Sequence, residues 1–157
     1  MKLTTFTDYS LRVLIYLAAQ PGQRATIGQV AAAYQVSENH LVKVVHFLGK
    51  QGWLRNLRGK GGGLELALPP ERIGVGQLVR QTEGEAVAEC LGDARGDCCI
   101  APSCRLKGVL SEAVTAFYGV LDRYTLADLV SNAPQLAQIL FVEHPIRAQR
   151  VSPRKAA

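Results

Sequence analysis

The sequence has no long hydrophobic run and few cysteines. None of its apolar stretches approaches the roughly eighteen uninterrupted residues that a membrane span needs. The first residues, MKLTTFTDYSLR, also lack the apolar core and small-residue cleavage site of a signal peptide. We therefore expect a cytoplasmic protein without a membrane partner. In that reducing compartment, the four cysteines favour metal or redox chemistry over structural disulfides.

All four cysteines lie in one stretch, ECLGDARGDCCIAPSCRL, and they form no Cys-x-x-Cys pair. A four-cysteine zinc knuckle of ordinary spacing is therefore disfavoured. Because adjacent cysteines rarely both bind one metal, three usable thiolates remain: Cys90, Cys104 and either Cys98 or Cys99. Three thiolates in a flexible loop favour an iron–sulfur cluster whose fourth ligand is not cysteine. A zinc site, a thiol–disulfide switch and inert cysteines stay open as alternatives.

Acidic residues are absent between His40 and Lys60, although the whole chain has a formal net charge of only +5. The same segment carries the cations Lys43, Lys50, Arg55, Arg58 and Lys60. A basic segment of this length is typical of a nucleic-acid-binding face, and a merely solvated surface is the alternative. The final stretch, HPIRAQRVSPRKAA, is also basic, but it has no apolar periodicity and is interpreted as a frayed tail.

Cap residues and hydrophobic periodicity predict a mainly α-helical chain with one small β-hairpin. The first predicted helix opens at Thr7 and Asp8, residue types that favour N-caps. It is apolar on two sides, which is typical of a helix packed between other elements. Later helices are expected at about 27–34, from a Ser37 cap to about Leu48, within GVGQLVRQTEG, at about 105–123 and within TLADLV.

A hairpin is predicted after the helix that Ser37 begins. Leu64, Leu66 and Leu68 alternate with other residues, which is a strand signal. The RGKGGG segment before them is a basic turn whose glycines tolerate positive φ angles. Helix, helix, tight turn, helix and basic hairpin is the order of a winged helix-turn-helix. The expected fold is therefore mainly α with a small β-hairpin wing.

The helix after Ser37 divides into an apolar and a polar face. Helical spacing places Leu41, Val44, Val45 and Leu48 together and leaves polar residues opposite. A helix with such a polar face fits the major groove, and a glycine-rich basic wing can approach the DNA closely. The residues that we expect to contact DNA are Ser37, Asn39, His40, Lys43, His46, Arg58 and Lys60.

The helix predicted at about 105–123 carries one continuous apolar stripe. We interpret it as a dimerisation helix that would give a palindromic DNA site, and an ordinary core helix is the alternative. The stripe is formed by Leu106, Val109, Leu110, Ala113, Phe117, Val120, Leu121 and Tyr124. The expected organisation is a DNA-binding domain at 1–83, a cluster-binding loop at 84–104, a dimerisation region at 105–131 and a partly disordered extension at 132–157.

Several motifs together resemble the IscR/NsrR family of winged-helix iron–sulfur transcription regulators, and most of all its nitric-oxide-sensing branch. They are MKLTTFTDYSLRVLIYLA, VSENHLVKVVHFLGKQGWL, RGKGGGLELA, CCIAPSCRL and LDRYTLADLV. The resemblance implies a homodimeric repressor that binds operator DNA and holds one iron–sulfur cluster per subunit, with two or four irons.

The same resemblance implies the metal ligands. The family's three cysteine ligands fall on Cys90, Cys98 and Cys104, whereas Cys99 stands where relatives carry other residues. In some members the fourth ligand is an aspartate from the first helix of the other subunit, and the matching residue here is Asp8.

The sequence thus leads to one functional hypothesis with two alternatives. In the hypothesis, nitric oxide nitrosylates the cluster and the dimer releases its palindromic operator. A regulator of the same family could instead sense iron–sulfur supply or redox state, and a different class would be an iron–sulfur electron-transfer protein. An enzyme is not expected, because His40, His46 and His144 are scattered and have no acidic companions in register.

Overall fold

The computed structural model describes residues 2–84, 91, 98, 100 and 103–141. Within those residues the chain is mainly helical with one β-hairpin, which confirms the expected fold class. Cys90, Cys99 and residues 142–157 lie outside the described part, and the predicted domain boundaries stay predictions. The elements are α1 (Thr5–Ala18), α2 (Ile27–Tyr34), α3 (Glu38–Lys50), β1 (Leu54–Leu57), β2 (Gly63–Leu66), a 3-10 turn (Pro70–Arg72), α4 (Val75–Glu83), α5 (Arg105–Leu121), α6 (Leu126–Leu129) and α7 (Ala133–Leu140).

Helix α1 begins earlier than the sequence suggested. Its N-cap is Thr4, whose hydroxyl accepts a hydrogen bond from the Thr7 backbone N–H at 3.3 Å. Asp8 is therefore not the cap: it lies inside the helix, and its own N–H donates to the Thr4 carbonyl at 3.1 Å. A side-chain acceptor one turn upstream satisfies the free amides, so the helix extends to it.

Helices α2 and α3 form the helix-turn-helix. A capping box of Thr26 and Gln29 starts α2, and Gln35 ends it in the left-handed conformation at φ 54°. Ser37 occupies the N-cap position of α3 as predicted, but its side chain makes no capping hydrogen bond. The hydroxyl of Ser37 is therefore not used by the helix, and the residue is exposed.

Strands β1 and β2 pair antiparallel, with Leu54 opposite Leu66 and Leu57 opposite Gly63. We call residues 54–66 the wing. Leu64 is only 2% exposed and anchors the wing in the core. The backbone of Leu64 also exchanges two hydrogen bonds with Ala25, at 2.7 and 3.1 Å. The wing is thus attached to the segment between α1 and α2 as well as to α3.

Helix α1 is packed between other elements, as its two apolar sides predicted. It contacts α2, α3, α4, α6 and β2, and Val13 and Leu14 are fully buried. The predicted apolar face of α3 is buried too, since Leu41, Val44, Val45 and Leu48 are each at most 5% exposed. These residues make one core beneath the helix-turn-helix and the wing.

Helix α5 leaves much of its apolar stripe uncovered. Phe117 and Leu121 pack partly against the core, but Leu106 and Val109 are 62% and 61% exposed. The most buried residue of the helix is Tyr118, which lies outside the predicted stripe. The helix also ends at Leu121, slightly before the predicted bound. Among the helices within residues 2–84 and 103–141, none has the length and apolar character required to cross a membrane.

Candidate DNA-binding face and cysteine loop

The exposed face of α3 carries the side chains that the sequence assigned to DNA contact. Asn39, Lys43 and His46 are exposed on the side of the helix opposite its buried residues, and His40 is exposed at the flank of that side. Their order follows from the helical repeat, which places residues three or four apart beside one another. Amide, imidazole and ammonium groups presented in this way can reach base edges and phosphates in a major groove.

One apolar residue shares this polar face, and the sequence analysis missed it. Val42 is 51% exposed and lies between Asn39 and His46 on the helix surface. The signal was present, because Val42 follows Asn39 by three residues and precedes His46 by four. Periodicity identifies the buried side of α3, whereas Val42 is an apolar exception among the exposed residues of the helix.

The wing tip presents Arg58 and Lys60, which are both exposed. Its sharp turn depends on glycine: Gly59 and Gly61 have φ angles of 95° and 81°. At Gly62 a Cβ atom would overlap the Leu57 carbonyl oxygen. A side chain is therefore excluded by contact at Gly62 and disfavoured by backbone conformation at Gly59 and Gly61, so the two cations project from a thin backbone loop.

In the first turns of α1, the Asp8 carboxylate is bound by Arg12. The Arg12 Nε lies 3.1 Å from Asp8 Oδ1, and its Nη2 lies 2.9 Å from Oδ2. The Asp8 side chain is still 44% exposed, so one edge of the carboxylate is open to solvent. Asp8 is thus oriented by its own helix and accessible from outside the subunit.

Aromatic rings connect this part of α1 to α3. The Arg12 guanidinium lies 5.9 Å from the Tyr9 ring centre and 5.6 Å from that of Tyr34. The Tyr9 ring in turn lies 6.1 Å from the His40 imidazole. Burial raises the pKa of Tyr34 to about 12, although the nearby Arg12 charge acts to lower it. Tyr34 is therefore a neutral wall against which Arg12 packs at physiological pH.

A second aromatic path runs from α1 to the wing. The rings of Phe6 and Phe47 meet edge to face at 5.2 Å, and Phe47 meets Trp53 at 6.4 Å. Trp53 immediately precedes β1 and is 3% exposed. Aromatic contacts therefore connect the start of α1, through α3, to the base of the wing.

Residues 82–84 are joined to the start of α1. They lead into the predicted cluster-binding loop at 84–104, which we call the cysteine loop. Thr4 N–H donates to the Glu83 carboxylate, and the Thr7 hydroxyl donates to Thr82 Oγ1 at 2.7 Å. Desolvation raises the pKa of Glu83, but hydrogen bonds from Thr7 and Thr4 outweigh it and leave the pKa lowered. The Tyr118 hydroxyl donates to the Gly84 carbonyl at 2.8 Å, so α5 contacts the same junction.

Two of the predicted thiolate ligands are described. Cys98 is exposed, and Cys104 is half-buried at the N-cap position of α5, where its side chain makes no capping hydrogen bond. Cys90 lies outside the described residues. Within the described part of one subunit, no group of three or more His, Cys, Asp or Glu residues could hold a metal ion. The structure therefore does not bring the predicted ligand set together within one chain's described residues.

A helix-turn-helix followed by a basic antiparallel wing defines this protein as a winged-helix transcription regulator. The chain belongs to the Rrf2 family, described as "Iron-dependent Transcriptional regulator", which it matches over residues 3–132. The expected regulator class is thus confirmed, and its known relatives are regulators rather than enzymes.

Curated relatives and solved structures agree with this assignment. The "HTH-type transcriptional regulator NsrR" of Bacillus subtilis is 49% identical over 142 residues, which cover 89% of this chain and 97% of the relative. The protein of the same name from Halalkalibacterium halodurans is 47% identical over 142 residues, with the same two coverages. The structure of T. potens IscR matches with a TM-score of 0.69 and 26% identity over 87% of this chain and 90% of that one. The structure of CymR of B. subtilis matches with a TM-score of 0.67 and 28% identity, over 84% of this chain and 98% of that one.

Proposed function

We propose that this protein is a homodimeric iron–sulfur repressor that binds a palindromic operator and releases it when nitric oxide reacts with its cluster. The observation that carries the proposal is 49% identity to a regulator named NsrR, spread over 89% of the chain. The family match over residues 3–132 includes the α1 motif with Asp8 and the end of the cysteine loop, the two regions that resemble the nitric-oxide-sensing branch.

Operator binding is supported by the face formed by α3 and the wing. Asn39 can pair with adenine, and Lys43 can contact guanine or a phosphate. Arg58 at the exposed wing tip has the charge and reach to enter a narrow minor groove. One such face reads few base pairs, so two copies related by symmetry would give a palindromic site.

Dimerisation is supported by the uncovered side of α5. Leu106, Val109 and Val120 are 62%, 61% and 45% exposed along one face of a 17-residue helix. Contiguous exposed apolar side chains on a helix favour burial against another surface. A second copy of the chain supplies the same apolar face. Two-fold symmetric packing of the two α5 helices against each other would cover both faces.

The proposed ligands are Cys90, Cys98 and Cys104 of one subunit with Asp8 of the partner subunit. Thiolates are the ligands that iron–sulfur clusters use, and a carboxylate oxygen holds iron less tightly. The described residues fit an anionic centre, since Cys104 leaves the first amides of α5 without a side-chain cap. When bound, the cluster would supply iron that reacts with nitric oxide.

The chain's own residues would carry the response. Asp8 has two partners in this proposal: iron in the other subunit, and the Arg12 guanidinium on its own helix. If the iron contact is lost, Asp8 stays with Arg12, which rests on Tyr9 and Tyr34. Tyr9 lies beside His40 of α3, so a shift at Asp8 changes the support of the DNA-contacting helix. A coupling of about 3 kcal/mol would change operator affinity roughly a hundredfold.

A second candidate is a regulator that responds to iron–sulfur supply or redox state. The family description, "Iron-dependent Transcriptional regulator", and the structural likeness to T. potens IscR favour it. The same thiolate and carboxylate ligands would serve that function. The two candidates differ only in which molecule changes the cluster, so a direct comparison of signals separates them.

The deciding experiment uses full-length protein purified without oxygen. Iron and sulfide are counted, an absorption spectrum is recorded, and affinity is measured for an operator selected from random-sequence DNA. The measurement is repeated after one to several equivalents of nitric oxide, and separately after cluster removal by a chelator. Affinity that falls with nitric oxide supports the proposal. Affinity that changes with cluster removal alone supports the second candidate, and colourless, iron-poor protein with undiminished affinity contradicts both.

Two variants test the ligand assignment. Cys98→Ala should lose most of its iron, because only two thiolates would remain. Asp8→Asn should retain iron through the three thiolates, but its operator affinity should no longer depend on nitric oxide. Glu71→Gln, an exposed acid outside these sites, is the matched control. Unchanged iron content in Cys98→Ala, or a normal nitric oxide response in Asp8→Asn, would remove that residue from the ligand set.

A further inference from the structure

Arg24, in the segment between α1 and α2, reaches across to the wing. Its Nε donates to Glu65 Oε2 on β2 at 3.1 Å, and its Nη1 donates to the Gly61 carbonyl at 3.0 Å. Arg24 is therefore held by a carboxylate on the wing's strand while it holds a backbone oxygen at the wing's tip. Neither contact was foreseen from the sequence, because Arg24 and Glu65 are 41 residues apart.

The tip needs such a contact, because it is the part of the wing with the greatest conformational freedom. Gly59, Gly61 and Gly63 have φ angles of 95°, 81° and 146°, and glycine loses more backbone freedom on ordering than other residues. Below the tip, Leu64 is fixed by its two backbone hydrogen bonds to Ala25. Arg24, the neighbour of Ala25, extends the same attachment outward to Gly61.

The surroundings of Gly63 show how closely the two segments approach. A Cβ atom at Gly63 would lie 3.0 Å from the Ala25 carbonyl oxygen and 3.3 Å from Cβ of Arg24. Arg24 and Ala25 thus lie in close contact with the start of β2. This places the Arg24 side chain near Glu65. The geometry of the guanidinium, with donors in a fixed fork, lets it serve Glu65 and Gly61 at once.

We propose that Arg24 is a positioning residue for operator binding: held by Glu65, it orders the wing tip that carries Arg58 and Lys60 before DNA arrives. The inference rests on the proposed DNA-binding function and adds a wing-support role to Arg24. A tip ordered in advance loses less conformational entropy when it binds, so affinity is gained without a new DNA contact.

The competing role for a basic residue beside a wing is a direct phosphate contact, and Glu65 distinguishes the two. If Arg24 bound phosphate, Glu65 would be an acid that repels DNA and competes for Arg24, so Glu65→Gln would strengthen binding. In the proposed role Glu65 orients Arg24, so Glu65→Gln weakens binding. The two roles therefore predict opposite signs for one substitution.

The experiment measures operator affinity of full-length protein, purified without oxygen, as a function of salt concentration. Arg24→Ala and Glu65→Gln should each weaken binding by about five- to fiftyfold at fixed salt, with a combined variant no worse than Arg24→Ala. The slope of log affinity against log salt should stay unchanged in Arg24→Ala but fall by about one in Arg58→Ala, which removes a proposed DNA contact. Arg24→Lys should behave as Arg24→Ala, since a lysine lacks the fork.

A control variant and the melting temperatures show whether a change in affinity is specific to the wing. Glu71→Gln makes the same charge change outside the wing and should leave affinity within about twofold of the wild type. Melting temperatures should barely change in any of these variants, because the Arg24–Glu65 pair is exposed. Tighter binding by Glu65→Gln, a reduced salt slope in Arg24→Ala, or unchanged affinity in both would overturn the wing proposal alone. A wild type without sequence-specific binding would overturn the proposed function.

Discussion

Arg80 of α4 and Asp122, the C-cap residue of α5, form a bidentate ion pair. Both of its N–O distances are 2.6 Å. The Arg80 guanidinium also lies 4.4 Å from the Tyr118 ring centre. Because α4 leads into the cysteine loop and α5 follows it, this pair joins the two helices that flank the proposed cluster site.

Stability at acid pH should depend on Asp122. Hydrogen bonds from Arg80 hold the pKa of Asp122 below its ordinary value of 3.8. The contribution is therefore complete above the unfolded-state pKa and is lost as the pH falls through the lower folded-state pKa. Asp122→Asn should lower the free energy of unfolding at pH 7 and flatten its change between about pH 7 and pH 3. Urea unfolding at both pH values measures this. Glu112→Gln, at an exposed acid on α5, should keep the wild-type pH dependence.

Gly76→Ala should be destabilising although alanine favours helices. A Cβ atom at Gly76 would overlap Oδ1 of Asp122 and approach its backbone N, and the Arg80 pair prevents that carboxylate from moving away. We expect a loss of about 1–3 kcal/mol in the free energy of unfolding. Gly119→Ala in α5 is the matched control, because nothing lies within 4 Å of its Cβ. It should gain up to about 1 kcal/mol, and equal effects in the two variants would contradict the packing argument.

Val109→Glu should convert the proposed dimer into monomers. Val109 is 61% exposed on the uncovered face of α5, and a charge there would be buried without a partner in a symmetric interface. We expect the dimer dissociation constant to rise by about a hundredfold or more, measured by sedimentation equilibrium. Thr115→Glu, on the opposite side of α5, should leave the dimer intact. Far-ultraviolet circular dichroism checks that both variants keep their helices.

Two adjacent positions on α3 should lose very different amounts of stability when each is truncated to alanine. Leu41 is 1% exposed and Val42 is 51% exposed. Leu41→Ala leaves a cavity in the core beneath the helix and should cost about 2–5 kcal/mol in urea unfolding. Val42→Ala should change the free energy of unfolding by less than about 0.5 kcal/mol. Comparable losses would mean that α3 is rotated relative to the face described above.

The short helices show how much local patterns predict. For α2, the expected range of about 27–34 agrees with the observed Ile27–Tyr34. The four buried residues of α3 were also predicted correctly. Both results depend on signals within a few residues: the break between the two helices, the Ser37 at the N-cap position of α3 and a 3.6-residue period. The start of α1 was missed because Thr4 is stabilised partly by Glu83, 79 residues away.

The apolar stripe of α5 shows what local patterns do not predict. Periodicity identified apolar residues on one side of the helix, but it did not tell which of them the same chain covers. Tyr118 is buried through contacts with α4, whereas Val109 is left exposed. Both outcomes depend on how the helix is docked, and docking is decided by residues distant in sequence.

The amino-acid sequence alone determined the order of the helices from α1 to α6 and of the hairpin, the winged helix-turn-helix, the polar face of α3 and the basic wing tip, because these follow from spacing and residue type over short distances. Helix α7 was not predicted, since it lies in the stretch 132–157 that was expected to be a partly disordered extension. Only the tertiary structure decided that Arg80 pairs with Asp122 and that Arg24 reaches Glu65 on the wing. These two contacts join residues 42 and 41 positions apart, and only the packed core brings such residues within hydrogen-bond distance.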